Sequence, residues 1–148
     1  MVRPAEPQDV PAIWKLINAL AIYEKLADSV VGSAEAMHHW LFEEPLVYCL
    51  VKIFESQVVG YAIYFRTFST FRTEPGIWLE DIFVTPEHRG LGFGKELIQS
   101  VIADGKRRSF ARLEWSVLDW NQPAIDFYHS LGATVMPDWR ICRFDLTQ

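Results

Sequence analysis

Val84-Thr85-Pro86-Glu87-His88-Arg89-Gly90-Leu91-Gly92-Phe93-Gly94-Lys95 is the stretch on which the fold turns. An apolar strand, Ile77 to Val84, runs into it. A helical stripe of Phe93, Leu97, Ile98, Val101 and Ile102 leaves it and stops near Asp104-Gly105. Glycines let backbone approach a ligand closely and take conformations closed to other residues. The first N–H groups of the helix have no helical acceptor and carry partial positive charge, an arrangement that favours a phosphate. Arg89 and Lys95 flank the turn and offer charge-assisted contacts. A purely structural use is the alternative, with Gly90 serving the turn and Gly92 and Gly94 close helix–sheet packing. The spacing is neither of the common nucleotide fingerprints. Gly94-Lys95 is followed by Glu96 where a P-loop needs Ser or Thr, and the glycines stand two apart and late in the chain.

Outward from this turn the pattern predicts a short first strand at Val2 to Pro4, clipped because only Met1 and Val2 precede Arg3-Pro4. Asp9 is expected to cap a helix carrying Val10, Ile13, Trp14, Ile17, Leu20 and Ala21, ending near Glu24, with a loop from Leu26 to Gly32. Ser33 opens a second helix. Leu46 to Phe54 and Val58 to Phe68 form a hairpin about Glu55-Ser56-Gln57, and Pro75-Gly76 marks the next turn. Beyond the third helix come a strand at Arg112 to Leu118 and a helix capped by Asn121 and stopped by Gly132. That helix carries Ala124, Phe127, Tyr128 and Leu131 on one face, and a last strand follows at Arg140 to Leu146. One domain over residues 1–148 is expected, with a mixed sheet covered by helices.

Half of the 148 residues are apolar and 14% aromatic, sufficient for one full core. The net charge of −5 argues against nucleic-acid binding through a broad basic face. The longest apolar stretch, Val58 to Phe65, is too short to span a bilayer, and no apolar leader opens the chain. Two cysteines, Cys49 and Cys142, make no framework and read as buried small hydrophobes, so a reduced, cytoplasmic protein is expected. His38-His39 lacks surrounding ligands at metal spacing, and no metal is expected. His88 and His129 read as solvent-exposed.

Arg89-Gly90-Leu91-Gly92-Phe93-Gly94 resembles the Arg/Gln-x-x-Gly-x-Gly/Ala signature of the GNAT acetyltransferase superfamily. Downstream, Asn121-Gln122-Pro123-Ala124-Ile125-Asp126-Phe127-Tyr128 with Leu131-Gly132 resembles the family's second signature. The resemblance covers nearly the whole chain and implies an α+β fold with a mixed, mostly antiparallel sheet flanked by about four helices. It implies acetyl-coenzyme A as cosubstrate. The coenzyme would be held by Ile82, Phe83 and Val84 on the strand, by Arg89, Gly90, Leu91, Gly92, Phe93, Gly94 and Lys95 at the turn, and by Asn121, Pro123, Ala124 and Tyr128 downstream. Leu79-Glu80-Asp81-Ile82-Phe83-Val84, Tyr23-Glu24-Lys25-Leu26, Asp119-Trp120-Asn121-Gln122 and Trp139 resemble the diamine, polyamine and thialysine acetyltransferases. A homodimer is expected on the same ground.

Glu80 and Asp81 interrupt an apolar strand, where carboxylates seldom sit without a partner or a task. Neighbouring strand residues face opposite ways, so a regular strand would not aim both at one substrate; the family's bulge in this strand would change that. A solvated face with a surface ion pair is the alternative. The resemblance assigns Glu80 the role of base toward a primary amine, whose neutral form alone attacks a thioester. Glu24 and Asp81 would add negative potential, and Tyr23 and Trp139 would line the amine site, although each aromatic could equally pack on the core. Tyr128 alone reads as a core residue; the resemblance makes its hydroxyl the acid for the departing thiolate. Many polyamine enzymes carry an aspartate where this chain has Ser69, which favours a shorter amine. A coenzyme-binding regulatory module and a peptide or protein acetyltransferase are the competing readings. Retention of both Glu80 and Tyr128 argues against the first, and a compact acidic pocket against the second.

Overall fold

The structure, a computed structural model, describes residues 1–147. The chain forms two compact units, one of residues 1–116 and one beginning at Val117.

The first unit holds a five-stranded sheet in the order β1 (Val2–Pro4), β2 (Tyr48–Phe54), β3 (Gln57–Ser69), β4 (Glu74–Val84) and β5 (Leu113–Glu114). The first four strands are antiparallel and β5 joins β4 in parallel. Helix α1 (Val10–Tyr23) lays Val10, Ile13 and Leu16 on one face of the sheet, against Cys49, Val51, Tyr61, Ile63 and Phe83. The short α2 (Ala34–His38) and the π turn His39–Glu43 extend that layer with Met37 and Leu41. Helix α3 (Phe93–Arg107) buries Leu97, Ile98 and Val101 on the opposite face. Two glycines permit that approach. A Cβ on Gly60 would stand 3.2 Å from Leu97 Cδ1 of α3, and one on Gly105 would stand 3.1 Å from Ile77 Cδ1. Because β3 is covered on both faces, Val59 to Tyr64 is an unbroken buried run. The second unit contains α4 (Gln122–Ser130).

The caps explain where elements begin and end. Ser33 accepts from the Ala36 amide at 3.1 Å, and Asn121 from the Ala124 amide at 3.4 Å, as their residue types predict. Gly132, at φ +86°, closes α4 with Ala133 N–H donating to the Tyr128 carbonyl, the stop expected of a glycine there. Asp9 differs from expectation. Its side chain makes no cap bond to α1; it pairs with Arg3 at 2.7 Å and accepts from the Glu6 amide, because a 3-10 turn at Pro7–Asp9 precedes the helix. The hairpin loop is the two residues Glu55 and Ser56, both at positive φ, so Gln57 belongs to β3.

Two expected strands are corrected. Of Arg112 to Leu118 only Leu113–Glu114 pairs, since the ladder with β4 ends at Trp78↔Glu114. Arg140 to Leu146 forms no strand: no other strand exists among the described residues of its unit, and an extended segment without a ladder partner gains nothing over water. Cys142 on this segment is exposed, while Cys49 is buried as expected. Among the described residues no helix is long and apolar enough to cross a membrane.

Candidate active site

The turn at positions 89–94 is shaped by two left-handed residues, Gly90 at φ +79° and Gly92 at φ +81°. A Cβ on either would meet nothing within 4 Å. Packing therefore does not explain these two glycines; the backbone angle does. Gly92 is the N-cap of α3 and supplies no side-chain cap. The first helical bond closes from the Glu96 amide to the Gly92 carbonyl at 3.0 Å, so the amides of Phe93, Gly94 and Lys95 lie before the ladder begins. An uncapped N-terminus beside open space fits a phosphate-bearing cosubstrate.

The turn rests on a rigid base. His88 is half-buried rather than solvent-exposed: its Nδ1 bonds Thr85 Oγ1 at 2.7 Å and its ring packs against Phe54 and Phe93. The ammonium of Lys52 lies 4.2 Å from the Phe93 ring centroid and pairs with Glu96. This draws the one acidic side chain of the first helical turn toward a lysine. Arg89 donates from Nε to the Val84 carbonyl at 3.2 Å and stacks 4.7 Å over the Tyr23 ring. Tyr23 and Glu24 stand at the end of α1, where Lys25 takes φ +61°. There the Leu26 amide donates to Ala21 and the Lys25 amide to Ile22, a stop usually made by glycine.

Strand β4 carries the bulge. Ile63 pairs with Asp81 and the next β3 residue, Tyr64, pairs with Leu79, so Glu80 is the inserted residue. Without it, parity would place Trp78 and Asp81 on opposite faces. With it, Trp78 opposes Phe65 and Asp81 opposes Ile63, and those two β3 residues share a face. The Trp78 indole Nε1 donates to Glu80 Oε2 at 3.1 Å, which brings Glu80 to that same face. Asp81 accepts from the buried Tyr61 hydroxyl at 3.1 Å. Both donors are neutral, so neither bond cancels a negative charge. Burial pushes the Asp81 carboxyl up to about 6, with Glu80 and Glu24 adding like-charge repulsion against the Tyr61 bond. Burial likewise raises Glu24. Ionised, the two carboxylates would favour a cation set beside them.

Beyond Trp78 the side of β4 next to β5 has no strand partner among the described residues. Ile82, Phe83 and Val84 lie on that stretch.

In the second unit Asn121 is buried at the head of α4, Pro123 stands in its first turn, Ala124 is half-buried, and Tyr128 lies on the helix beside Phe127. Trp139 is 78% exposed on the irregular segment that follows. Residue patterns alone did not single out Tyr61, Trp78 or Lys52. A tyrosine inside a buried apolar run must find an acceptor, and that signal could have exposed Tyr61.

The model of the acetyltransferase (GNAT) family matches residues 14–133. A thialysine N-epsilon-acetyltransferase of Bos taurus is 40% identical, covering 98% of this chain and 92% of its own length. An L-ornithine N5-acetyltransferase of Arabidopsis thaliana is 28% identical over 96% of this chain and 82% of its own. Among solved structures, an aminoglycoside acetyltransferase from an uncultured soil metagenomic sample superposes with a TM-score of 0.83. It is 18% identical and covers 99% of this chain and 95% of its own, a likeness of fold. With the bulged acidic strand, the uncapped glycine turn and the family's span over most of its length, this chain belongs to the acetyltransferase (GNAT) family and is an acyltransferase.

Proposed function

We propose that the protein transfers acetyl from acetyl-coenzyme A directly to the side-chain amine of a small cationic amino acid or diamine. The observation that carries this reading is the β4 bulge, which sets Glu80 and Asp81 on one sheet face. Thialysine and ornithine, named for two relatives, are short primary amines of the kind such a face would hold. When bound, acetyl-coenzyme A supplies an activated thioester. Its diphosphate would be held by the amides of the 89–94 turn, with Lys95 and Arg89 beside them, and its arm by the backbone of Ile82 to Val84.

Asp81 and Glu24 hold the substrate ammonium through their field. Tyr23 and Trp139 are the aromatic residues that the family resemblance would give to the amine. Glu80, the exposed member of the pair, accepts the proton that the amine must lose before it can attack, directly or through water. Tyr128 returns a proton to the leaving thiolate; a phenol near pKa 10 is matched to a thiol near 8.5. Asn121, Pro123 and Ala124, at the head of α4, are the residues there that the family resemblance would give to the coenzyme. The protein acts as a cytoplasmic homodimer in this reading.

The test is a panel of thialysine, lysine, ornithine, putrescine and spermidine with acetyl-coenzyme A, following thiol release. Short amino acids should give the highest kcat/KM. Turnover of none of them would end the proposal.

A further inference from the structure

At the far end of the sheet from the glycine turn lies a cavity of about 330 Å³ that the acetyl-transfer reading does not use. Six residue steps along β2 lead from Tyr48, in its wall, to Phe54 beside the turn, a distance of roughly 20 Å at ~3.4 Å per residue. Likewise α3 begins at the turn and ends at the cavity with Asp104, Arg107 and Arg108.

Its floor is apolar and buried, made by Leu41, Cys49 and Leu50, and Phe42, Leu46 and Val47 rise to the mouth. Charge gathers on one side. Asp104 is the sole acid in the lining and its carboxylate is fully engaged: it accepts from Tyr64 Oη at 2.8 Å, from Arg108 Nε at 2.8 Å, and from Arg107. Arg107 and Arg108 pair with that one carboxylate and Arg66 lines the same cavity, three guanidinium groups to one acid, which leaves a surplus of two positive charges in a protein of net charge −5.

The two arginines at the end of α3 have a structural reason to be there, since cations favour a helix C-terminus, and Arg108 also stacks 4.5 Å from the Tyr48 ring. Arg66 has no such reason. It comes from β3, opposite Ile77, and pairs with no acid among the described residues. A carboxylate is the group that a guanidinium such as that of Arg66 binds bidentately, and an aliphatic or aromatic body is what the floor would cover.

We propose that this cavity is a second binding site, for a small organic anion: a monocarboxylate with an apolar body of roughly ten heavy atoms. The site is independent of the acetyl-transfer centre and stands whether or not the substrate reading holds.

Titration of the full chain with octanoate, with octan-1-ol as the neutral isostere, tests it. Nuclear magnetic resonance should show saturable one-site shifts centred on Tyr48, Leu41 and Asp104, and octan-1-ol should bind at least tenfold more weakly. Arg66→Gln, an exposed change that breaks no pair, should weaken octanoate at least fivefold and leave octan-1-ol unchanged. Leu46→Glu at the mouth should abolish octanoate binding while leaving thermal stability intact. Non-saturating shifts, equal affinity for the alcohol, or octanoate binding unmoved by Arg66→Gln would each overturn the proposal.

Discussion

The Tyr61 hydroxyl donates to the Asp81 carboxylate at 3.1 Å from a fully buried position in the neighbouring strand. That bond favours the ionised carboxylate, yet burial and the nearby Glu80 and Glu24 outweigh it and hold Asp81 near 6, above the ordinary 3.8. Between these two values the folded protein keeps a proton that the unfolded chain has released. Stability therefore falls as pH rises through the window, by about 3 kcal/mol in all at ~1.4 kcal/mol per unit. Asp81→Asn, which still accepts from Tyr61, should remove this slope and exceed the parent in stability above pH 6. Urea unfolding from pH 4 to 7 measures it, and parallel slopes in the two proteins would contradict the assignment. Tyr61→Phe removes the opposing bond, so the Asp81 titration should move upward.

Glu80→Gln keeps an acceptor for the Trp78 indole, so the bulge should survive. The variant loses the base. We expect kcat/KM for a primary amine to fall about 10²–10⁴-fold near neutrality, the range for general bases. The deficit should shrink at high pH as free amine accumulates. A deficit constant with pH would make Glu80 structural.

Tyr128→Phe should lower kcat by a similar 10²–10⁴ with coenzyme affinity nearly unchanged, since only a late proton transfer is lost. Calorimetry and steady-state rates on one preparation separate the two quantities. An unaltered rate would remove Tyr128 from the reaction.

The sequence was most legible where one residue type answers one local demand. Gly90 and Gly92 occupy positive φ that other side chains resist, and Ser33, Asn121 and Gly132 cap as their chemistry dictates. What depends on pairing was less visible. Asp81 and Tyr61 lie twenty positions apart, and only the register that sets Tyr61 opposite Phe83 brings them together. The bulge at Glu80 was foreseeable as a family trait, and the interrupted apolar strand hinted at it. Its effect, two carboxylates on one face, required the ladder itself. Arg140 to Leu146 has the composition of a strand, but composition does not report whether a partner strand is present. Asp9 stands before an apolar stripe, the place of a cap, while Arg3 claims its carboxylate from another element.

The two thiols should behave differently. Burial pushes Cys49 up to about 12, whereas Cys142 is exposed. Only thiolate reacts with an aromatic disulfide reagent. One thiol per chain should react promptly in the native protein, and the second only at the rate of unfolding. Two fast thiols would show that the core around Cys49 opens on its own.

Gly92→Ala and Gly105→Ala place the same methyl on the same helix for opposite results. At Gly92 the space is empty, so the cost is the left-handed backbone, about 1–2 kcal/mol. The methyl also narrows the place where a diphosphate would approach the amides, and coenzyme affinity should drop at least tenfold. Gly105 lies inside α3, where alanine gains about 1 kcal/mol of helix propensity. Its new Cβ would press on Ile77 Cδ1 at 3.1 Å, the mobile end of a side chain, so net stability should stay within about 1 kcal/mol of the parent. Coenzyme affinity there should not change. Thermal melts and calorimetric titration of both variants test the pair together. Equal losses of affinity would mean that α3 responds as a whole, and that the turn at 89–94 has no special part in holding the coenzyme.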